Sequence, residues 1–125
     1  MNLNYCQTTG LVTDDSGTQI AKGWAGRQDG KNEHEMESVH DTGPLPCGTY
    51  DVGAWGDHGA LGPDSAQLTQ TSGESFGRSG FYIHGPGTTD YGQESKGCIV
   101  IPRQDRLAVE ALAPDTITVD RKSVV

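Results

Sequence analysis

The chain has 125 residues, of which 33% are hydrophobic, and it carries a formal net charge of −8. This length supports one modest hydrophobic core, so we expect a single domain spanning residues 1–125. The acidic balance argues against nucleic-acid binding, because phosphate recognition needs concentrated Lys and Arg. No segment has a basic amphipathic face or enough apolar residues to span a bilayer, so we expect no membrane insertion.

Glycine is unusually abundant, at 18 residues, and separates short apolar runs. This composition is typical of an all-β domain with many tight turns. The chain begins Met-Asn-Leu-Asn-Tyr-Cys, which has neither the basic start nor the apolar centre of a secretory signal. We therefore expect a protein that is not addressed to the general export route.

The first half of the chain predicts strands over residues 5–13, 18–25 and 49–52. The first two are separated by Asp-Asp-Ser-Gly, a strong turn signal, and together they predict a β-hairpin. Residues 26–41 are polar and show no clean period, so they predict a loop with room for one helical turn. The following Gly-Pro-Leu-Pro-Cys-Gly has two prolines that prevent regular strand pairing.

The second half predicts a glycine-rich loop near residues 55–63 and further strands over residues 66–71, 80–84, 98–101 and 116–119. Pro102 suits the first position of a helix, and Pro114 ends that helix. Four apolar residues fall on one face of the predicted helix, namely Leu107, Ala108, Ala111 and Leu112. The fold expected is mainly β, with one short helix in the C-terminal half.

Two residues carry most of the functional signal. His84 ends one apolar, strand-like run, and Cys98 begins another after a polar loop that contains glycines 85, 87, 92 and 97. A thiol needs a base to become a good nucleophile at neutral pH, and imidazole is the usual one. Strands that end side by side would bring His84 and Cys98 within hydrogen-bond reach. The arrangement predicts a cysteine-dependent acyl-transfer enzyme.

The glycines next to His84 and Cys98 are interpreted as leaving room for a substrate. Gly97 removes side-chain bulk where a substrate carbonyl would approach Cys98, and Gly85 does the same after His84. The backbone N–H groups of Gly97 and Cys98 could form an oxyanion hole. No acidic residue is placed to orient His84, so we expect a backbone carbonyl to do so.

The stretch Ser95-Lys-Gly-Cys-Ile, with a histidine fourteen residues before the cysteine, resembles the active-site signature of L,D-transpeptidases. Lys96 stands where the common pattern of that family has a second histidine, and Val100 stands where many members have arginine. These departures resemble a smaller branch, the type VI secretion L,D-transpeptidase effectors. Tyr5-Cys-Gln-Thr-Thr-Gly-Leu, the glycine-rich stretch at 23–30 and Gly43-Pro-Leu-Pro-Cys-Gly-Thr-Tyr also resemble that branch.

The resemblance implies a compact L,D-transpeptidase-type β-sandwich or barrel with Cys98 as nucleophile and His84 as base. It implies attack on the diaminopimelate–D-alanine bond of peptidoglycan tetrapeptide stems, followed by hydrolysis or exchange. It further implies an antibacterial effector that reaches the periplasm of a target cell through a specialised secretion system and is neutralised by a cognate immunity protein. We expect no cofactor and no metal.

Other residues near the signature have two interpretations each. Ser95 either donates a hydrogen bond near the thiolate or simply turns the loop. Lys96 lowers the pKa of the cysteine, binds a substrate carboxylate or is an exposed loop lysine. Arg103 and Arg106 either bind a substrate carboxylate or are solvated arginines at the start of the helix. Tyr82 is expected to line the cleft.

Residues further from the signature also remain open. Trp24 and Trp55 either stack on sugar rings or anchor the core. His34, His40 and His58 are expected to be surface loop residues. With Cys98 as the nucleophile, Cys6 and Cys47 form a disulfide or stay as two inert thiols, and the sequence leaves both open.

Two other functions compete with the acyl transferase. A zinc hydrolase would use His58, His84 and Cys98, with Asp57 as a further ligand, but the chain lacks the closely paired ligands typical of structural zinc. A catalytically degenerate wall-binding module would keep the fold without turnover. The reactivity of Cys98 separates these, because a catalytic thiol is expected to have a low apparent pKa.

Overall fold

The computed structural model describes residues 1–86 and 95–121. In these residues it has nine strands: β1 Asn2–Cys6, β2 Leu11–Thr13, β3 Gln19–Lys22, β4 Trp24–Ala25, β5 Gly48–Val52, β6 Ala66–Ser72, β7 Phe81–His84, β8 Ile99–Val100 and β9 Thr116–Asp120. One α-helix, α1, spans Arg103–Leu112, and short 3-10 helices lie at Gln28–Gly30, His34–Met36 and Gly59–Leu61.

All nine strands belong to one sheet, in the order β3-β2-β1-β9-β5-β6-β7-β8-β4. The two edge strands, β3 and β4, are consecutive in the chain and are separated by Gly23 alone. Because the edges of the sheet are tied together by one residue, the sheet curls into a nearly closed barrel. The expectation of a mainly β fold with one helix is confirmed.

The predicted opening strand, residues 5–13, is in fact two strands. β1 ends at Cys6, and the chain turns before β2 begins at Leu11. The Gly10 N–H closes that turn by donating to the Cys6 carbonyl at 2.8 Å. β1 then pairs in parallel with β9, from Asn2 opposite Thr116 to Cys6 opposite Asp120. The predicted hairpin exists, but it is formed by β2 and β3.

The core lies inside the curled sheet and follows the alternation of each strand. Leu3 and Tyr5 of β1 and Ile117 and Val119 of β9 are buried, whereas their neighbours in sequence are more exposed. Fifteen buried side chains form the core cluster: Leu3, Tyr5, Val12, Ala21, Ala25, Leu45, Tyr50, Leu68, Phe81, Ile83, Ile99, Ile101, Val109, Ile117 and Val119.

Helix α1 packs against β3 with a different face from the one predicted. Leu107 and Leu112 are 39% and 38% exposed, whereas Val109 is fully buried. Arg106 is buried beside Val109, because its guanidinium donates to the carbonyls of Asp64 and Ile101 at 3.0 and 2.8 Å. The apolar stripe of the sequence therefore faces outward. Pro102 is the N-cap of the helix rather than its first residue, and the helix ends at Leu112, two residues before Pro114.

The three cysteines are free. Cys6 lies opposite Asp120 on one side of β9, and Gly48, the neighbour of Cys47, lies opposite Val119 on the other side. Two strand spacings of about 4.8 Å therefore separate the Cys6 and Cys47 backbones, which is beyond the roughly 7 Å limit for a disulfide. Of the two alternatives, the disulfide is therefore wrong, and Cys6 and Cys47 are two separate thiols.

No helix within residues 1–86 and 95–121 has the length and apolar character needed to cross a membrane.

Candidate active site

His84 is the last residue of β7, and Cys98 directly precedes β8. The two strands run parallel, with Ile83 opposite Ile99 and His84 opposite Val100. Continuing this register by one residue places Cys98 beside Tyr82. Ile83 and Ile99 point into the core. Because successive strand residues face opposite sides, positions 82, 84 and 100 belong to the outer face of this strand pair.

The Cys98 sulfur lies against the first residues of β7. The Tyr82 amide donates to Sγ at 3.3 Å, and Sγ lies 3.9 Å from the Gly80 carbonyl oxygen. Cys98 as a whole is half-buried, so part of its side chain faces solvent. Just before the start of β8, the sulfur therefore takes the Tyr82 N–H bond that a backbone carbonyl would accept in regular strand pairing with β7.

His84 ends β7 and is 5% exposed. Its Nδ1 lies 2.9 Å from the carbonyl oxygen of Gly85. A carbonyl oxygen can only accept, so Nδ1 carries the proton in this contact and the neutral ring keeps its lone pair on Nε2. The expectation that a backbone carbonyl orients His84 agrees with this contact.

The Ser95 hydroxyl makes several hydrogen bonds to the backbone around Cys98. This fully buried hydroxyl donates to the Cys98 carbonyl at 2.6 Å and accepts from the N–H groups of Gly26 and Gly97 at 2.9 and 3.2 Å. These bonds join Gly26, the residue after β4, to the segment that carries Cys98. Ser95 therefore shapes the loop rather than contacting the sulfur. The Gly97 N–H, one of the two suggested oxyanion donors, is engaged by Ser95 in this structure.

Both glycines next to the pair are required by close packing. Gly97 has a φ of +122°, and a Cβ there would lie 2.6 Å from Arg78 Nη2 and 2.8 Å from Phe81 Cε1. A Cβ at Gly85 would lie 2.1 Å from Arg106 Nη1. The space expected to admit substrate at these glycines is thus filled by Arg78, Phe81 and Arg106 of the protein itself.

Arg78 is the residue of this region that sequence reasoning missed. It is 6% exposed, and its guanidinium donates to four backbone carbonyls: Glu37 at 2.6 Å, Pro44 at 2.7 Å, Gly43 at 2.9 Å and Lys96 at 3.1 Å. The same group lies over the Phe81 ring. Arg78 thereby ties the proline-containing segment 43–46 to the segment that carries Cys98. It lies in a turn-rich stretch without any motif, so the sequence offered no signal for it.

Burial raises the pKa of the Cys98 thiol above its ordinary value. The Tyr82 N–H, the positive charge of Arg78 and the Cys98 N–H act in the opposite direction without offsetting the desolvation. These surroundings favour a protonated thiol at neutral pH. The expected low pKa is therefore not what the described neighbours produce, and attack by Cys98 would need a base.

The basic residues near the signature have different surroundings. Lys96 is exposed and lines a depression of about 180 Å³ together with His40 and Asp41. The Arg103 side chain is 65% exposed and lies 3.3 Å from the Asp64 carboxylate. Arg106 is buried, and its guanidinium donates to the carbonyls of Asp64 and Ile101. Lys96 and Arg103 can reach a ligand from solvent, whereas Arg106 supports the backbone around Gly85.

Tyr82 and His58 form a second contact on the outer face. Tyr82 is half-buried, and its ring centroid lies 5.3 Å from that of His58. The loop that carries His58 therefore packs against Tyr82 of β7. His58 was expected to be a simple surface residue, and this contact was not predicted. His40 is exposed, as expected, and lies 2.9 Å from the Phe76 carbonyl.

The two tryptophans belong to the protein interior. Trp24 is 7% exposed, and Trp55 is partly buried against the core. Of the two interpretations, core anchoring is the one that these positions favour.

The ligand set of a zinc hydrolase is not assembled. In the part of the chain that the structure describes, the one group of three side chains with metal-binding atoms in mutual reach is His34, Glu37 and Cys47. His58, His84 and Cys98 do not form such a group.

Two glycines predicted for the loop after His84, Gly87 and Gly92, lie outside the described residues.

Comparison with known proteins gives the family. The sequence model of the Tlde1 domain matches residues 19–125, so the chain belongs to the Tlde1 domain family, a family of type VI secretion effector domains. The matched range includes both His84 and Cys98 and begins at β3. No curated protein shows significant similarity to the chain. The chain thus carries an effector domain, which fits an antibacterial role and export by a secretion system.

Proposed function

We propose that this effector domain is a cysteine-dependent acyl transferase of the bacterial cell wall. Its substrate is the tetrapeptide stem of peptidoglycan, and the bond attacked joins diaminopimelate to D-alanine. The proposal combines the resemblance of the Cys98 signature to L,D-transpeptidases with membership of an effector family. The observation that supports it most is the contact of Cys98 Sγ with the Tyr82 N–H, two residues before His84 on β7, next to the parallel pairing of β7 with β8.

In the first half-reaction, Nε2 of His84 accepts the thiol proton while Sγ of Cys98 attacks the carbonyl carbon of diaminopimelate. The resulting oxyanion takes a hydrogen bond from the Cys98 N–H. The C–N bond then breaks, and the imidazolium donates its proton to the amine of the departing D-alanine. A thioester between Cys98 and the stem remains. General-base help of this kind typically contributes roughly two to four orders of magnitude in rate.

In the second half-reaction, the acceptor attacks the thioester carbonyl and His84 takes the acceptor's proton. The bond to sulfur breaks, and the thiolate recovers a proton from the imidazolium. Water as acceptor gives L,D-carboxypeptidase activity, a D-amino acid gives exchange, and the side-chain amine of a second stem gives a cross-link. In the resting geometry of His84, Nδ1 is directed at the Gly85 carbonyl, so the proton on Nδ1 leaves the lone pair of the neutral ring on Nε2, the atom that these proton transfers use.

Two exposed basic side chains suit the carboxylates of an anionic stem peptide. Lys96 borders the depression next to the cysteine loop, and Arg103 is exposed at the start of α1. Both are long cationic side chains that can hold a carboxylate of the stem. Tyr82, between Cys98 and His58, supplies an apolar wall for the methyl group of D-alanine.

As a wall enzyme, the domain would act in the periplasm of a competing bacterium. The producing cell would then need an immunity protein, and the outer face around Cys98 is the surface such a protein would have to block. This partner is proposed from the effector family together with the proposed activity.

The test is incubation of the purified protein with isolated tetrapeptide wall fragments, with and without an added D-amino acid, followed by mass spectrometry. The proposal predicts loss of one alanine in water and its replacement in the presence of the D-amino acid. Cys98→Ala and His84→Ala should reduce turnover by at least about 100-fold. Binding of the fragments without any turnover by the wild-type protein would instead support the wall-binding module.

A further inference from the structure

A second cluster of reactive side chains lies outside the candidate active site. A ring nitrogen of His34, a carboxylate oxygen of Glu37 and the sulfur of Cys47 all lie within 4.8 Å of one another. All three residues are half-buried. None of them takes part in the chemistry proposed for Cys98 and His84. We refer to them as the His34–Glu37–Cys47 cluster.

The cluster is held in place by hydrogen bonds from its surroundings. Oε1 of Glu37 accepts from the Cys47 N–H at 3.1 Å and from Nε2 of Gln7 at 3.3 Å. Oε2 of the same carboxylate lies 3.4 Å from Nδ1 of His34. Gln7 is fully buried, and its Oε1 lies 2.7 Å from His34 Nδ1. Because an amide oxygen only accepts, Nδ1 of His34 carries the proton in this contact, and Nε2 is the ring nitrogen that can bind a metal; such a hydrogen bond at the other ring nitrogen is the usual support of a metal-binding histidine.

We propose that the His34–Glu37–Cys47 cluster binds a divalent transition-metal ion, Zn²⁺ in particular. Sulfur, imidazole nitrogen and carboxylate oxygen are the three donor types of protein zinc sites, at about 2.0–2.3 Å from the metal. In a tetrahedral site such donors lie roughly 3.3–3.8 Å apart, so the side chains need to close by about 1 Å. Mg²⁺ and Ca²⁺ are disfavoured because they prefer an all-oxygen shell.

The position of the cluster indicates a structural role for the metal. It joins the 3-10 helix His34–Met36 to Cys47, the residue before β5, and Gln7 follows directly after β1. The Glu37 carbonyl also accepts the Arg78 hydrogen bond at 2.6 Å. A metal here would therefore stabilise the long segment between β4 and β5. Because Arg78 donates to both Glu37 and Lys96, it would also help to position the segment that carries Cys98.

The test is zinc binding by the full chain after treatment with a chelator. Competition with a chromophoric chelator should give one Zn²⁺ per chain, and thermal unfolding should shift to higher temperature in excess Zn²⁺. Bound Co²⁺ should show the charge-transfer band of a cobalt–thiolate bond. Cys47→Ser and His34→Ala should each weaken zinc binding by at least about 100-fold and remove the band or the tetrahedral spectrum. Cys98→Ser and Cys6→Ser are the matched controls and should change neither.

Alkylation of the wild-type protein tests the site without any variant. Zn²⁺ should protect Cys47, and not Cys98, from iodoacetamide, as read by mass spectrometry of the tryptic peptides. Absence of stoichiometric binding, or protection of Cys98 in place of Cys47, would overturn the proposal. So would binding that survives loss of both His34 and Cys47. The proposal is independent of the acyl-transferase activity, and these results leave that activity untouched.

Discussion

At the scale of single residues, the unusual feature is a buried arginine next to the thiol. Arg78 is 6% exposed, and each of its hydrogen bonds in the described structure goes to a backbone carbonyl rather than to a carboxylate. Burial lowers the pKa of the guanidinium, which nevertheless stays charged. Its charge counteracts the rise in the pKa of Cys98. Arg78 is thus a positioning residue that also supplies the cysteine with a fixed countercharge.

Replacing Arg78 should therefore affect both stability and thiol reactivity. Arg78→Gln leaves several buried carbonyls without donors, so we expect a loss of about 2–4 kcal/mol in the free energy of unfolding. In the protein that remains folded, the pKa of Cys98 should rise further. Urea unfolding and the pH profile of iodoacetamide alkylation measure the two effects. Arg78→Lys keeps the charge without the planar fork, so it should lower stability while leaving the thiol pKa closer to that of the wild type.

The dependence of Cys98 reactivity on pH follows from its raised pKa. A raised thiol pKa means a smaller thiolate fraction at neutral pH than an ordinary cysteine has, so alkylation should rise steeply only above the usual cysteine range. Loss of the proposed base in His84→Ala should slow the proposed acyl transfer most at neutral pH and least at alkaline pH, where the thiol ionises unaided. Parallel pH–rate profiles in the two proteins would contradict the assignment of His84 as the base.

At the scale of elements, helix α1 shows where local pattern and tertiary packing disagree. Leu107 and Leu112 mark an apolar face, yet both are more than one third exposed, and the buried positions are Arg106 and Val109. The buried guanidinium is satisfied by the carbonyls of Asp64 and Ile101, two groups that no helical periodicity can reveal.

A matched pair of truncations tests this packing. Val109→Ala should lower the free energy of unfolding by about 1.5–3 kcal/mol, because it removes two fully buried methyl groups from the core. Leu112→Ala removes more carbon but should change it by less than about 0.5–1 kcal/mol, since Leu112 is more than one third exposed and lies outside the core cluster. Denaturant titration of both variants measures the difference. The reverse order of effects would mean that the predicted face, and not the observed one, contacts the core.

Local signals in the sequence predicted most elements but little of their arrangement. Strands over residues 49–52, 66–71, 80–84 and 116–119 agree with β5, β6, β7 and β9, because alternation and turn residues act over a few positions. The parallel pairing of β1 with β9 joins opposite ends of the chain, and local pattern carries no information about it. In the candidate site, His84 and Cys98 stood out by residue type. Arg78 and the ligands His34, Glu37 and Cys47 did not, because only the fold brings them together.

At the scale of the whole molecule, the sheet depends on a strand that precedes the family match. The Tlde1 domain match begins at residue 19, whereas β1 ends at Cys6 and lies between β2 and β9. Leu3 and Tyr5 of this strand are buried in the core. The first strand is therefore part of the fold rather than an appendage.

Deleting residues 1–6 should therefore destabilise the entire domain. Burial of a large apolar side chain contributes about 1.5–3 kcal/mol, and a domain of this kind is stable by only about 5–15 kcal/mol in total. Loss of Leu3 and Tyr5, together with the ladder bonds to both neighbours, should abolish cooperative thermal unfolding or lower its midpoint by more than about 10 °C. A truncated chain with the melting curve of the full chain would show that the sheet closes without β1.

The most direct measurement of the proposed chemistry is the intact mass of the protein during turnover of a tetrapeptide stem. We predict a transient adduct with the mass of the stem minus D-alanine, mapped to Cys98 in peptide digests and labile to hydroxylamine, as a thioester should be. The adduct should be absent in Cys98→Ala. Release of D-alanine by Cys98→Ala at the wild-type rate, or an adduct on another residue, would contradict the account.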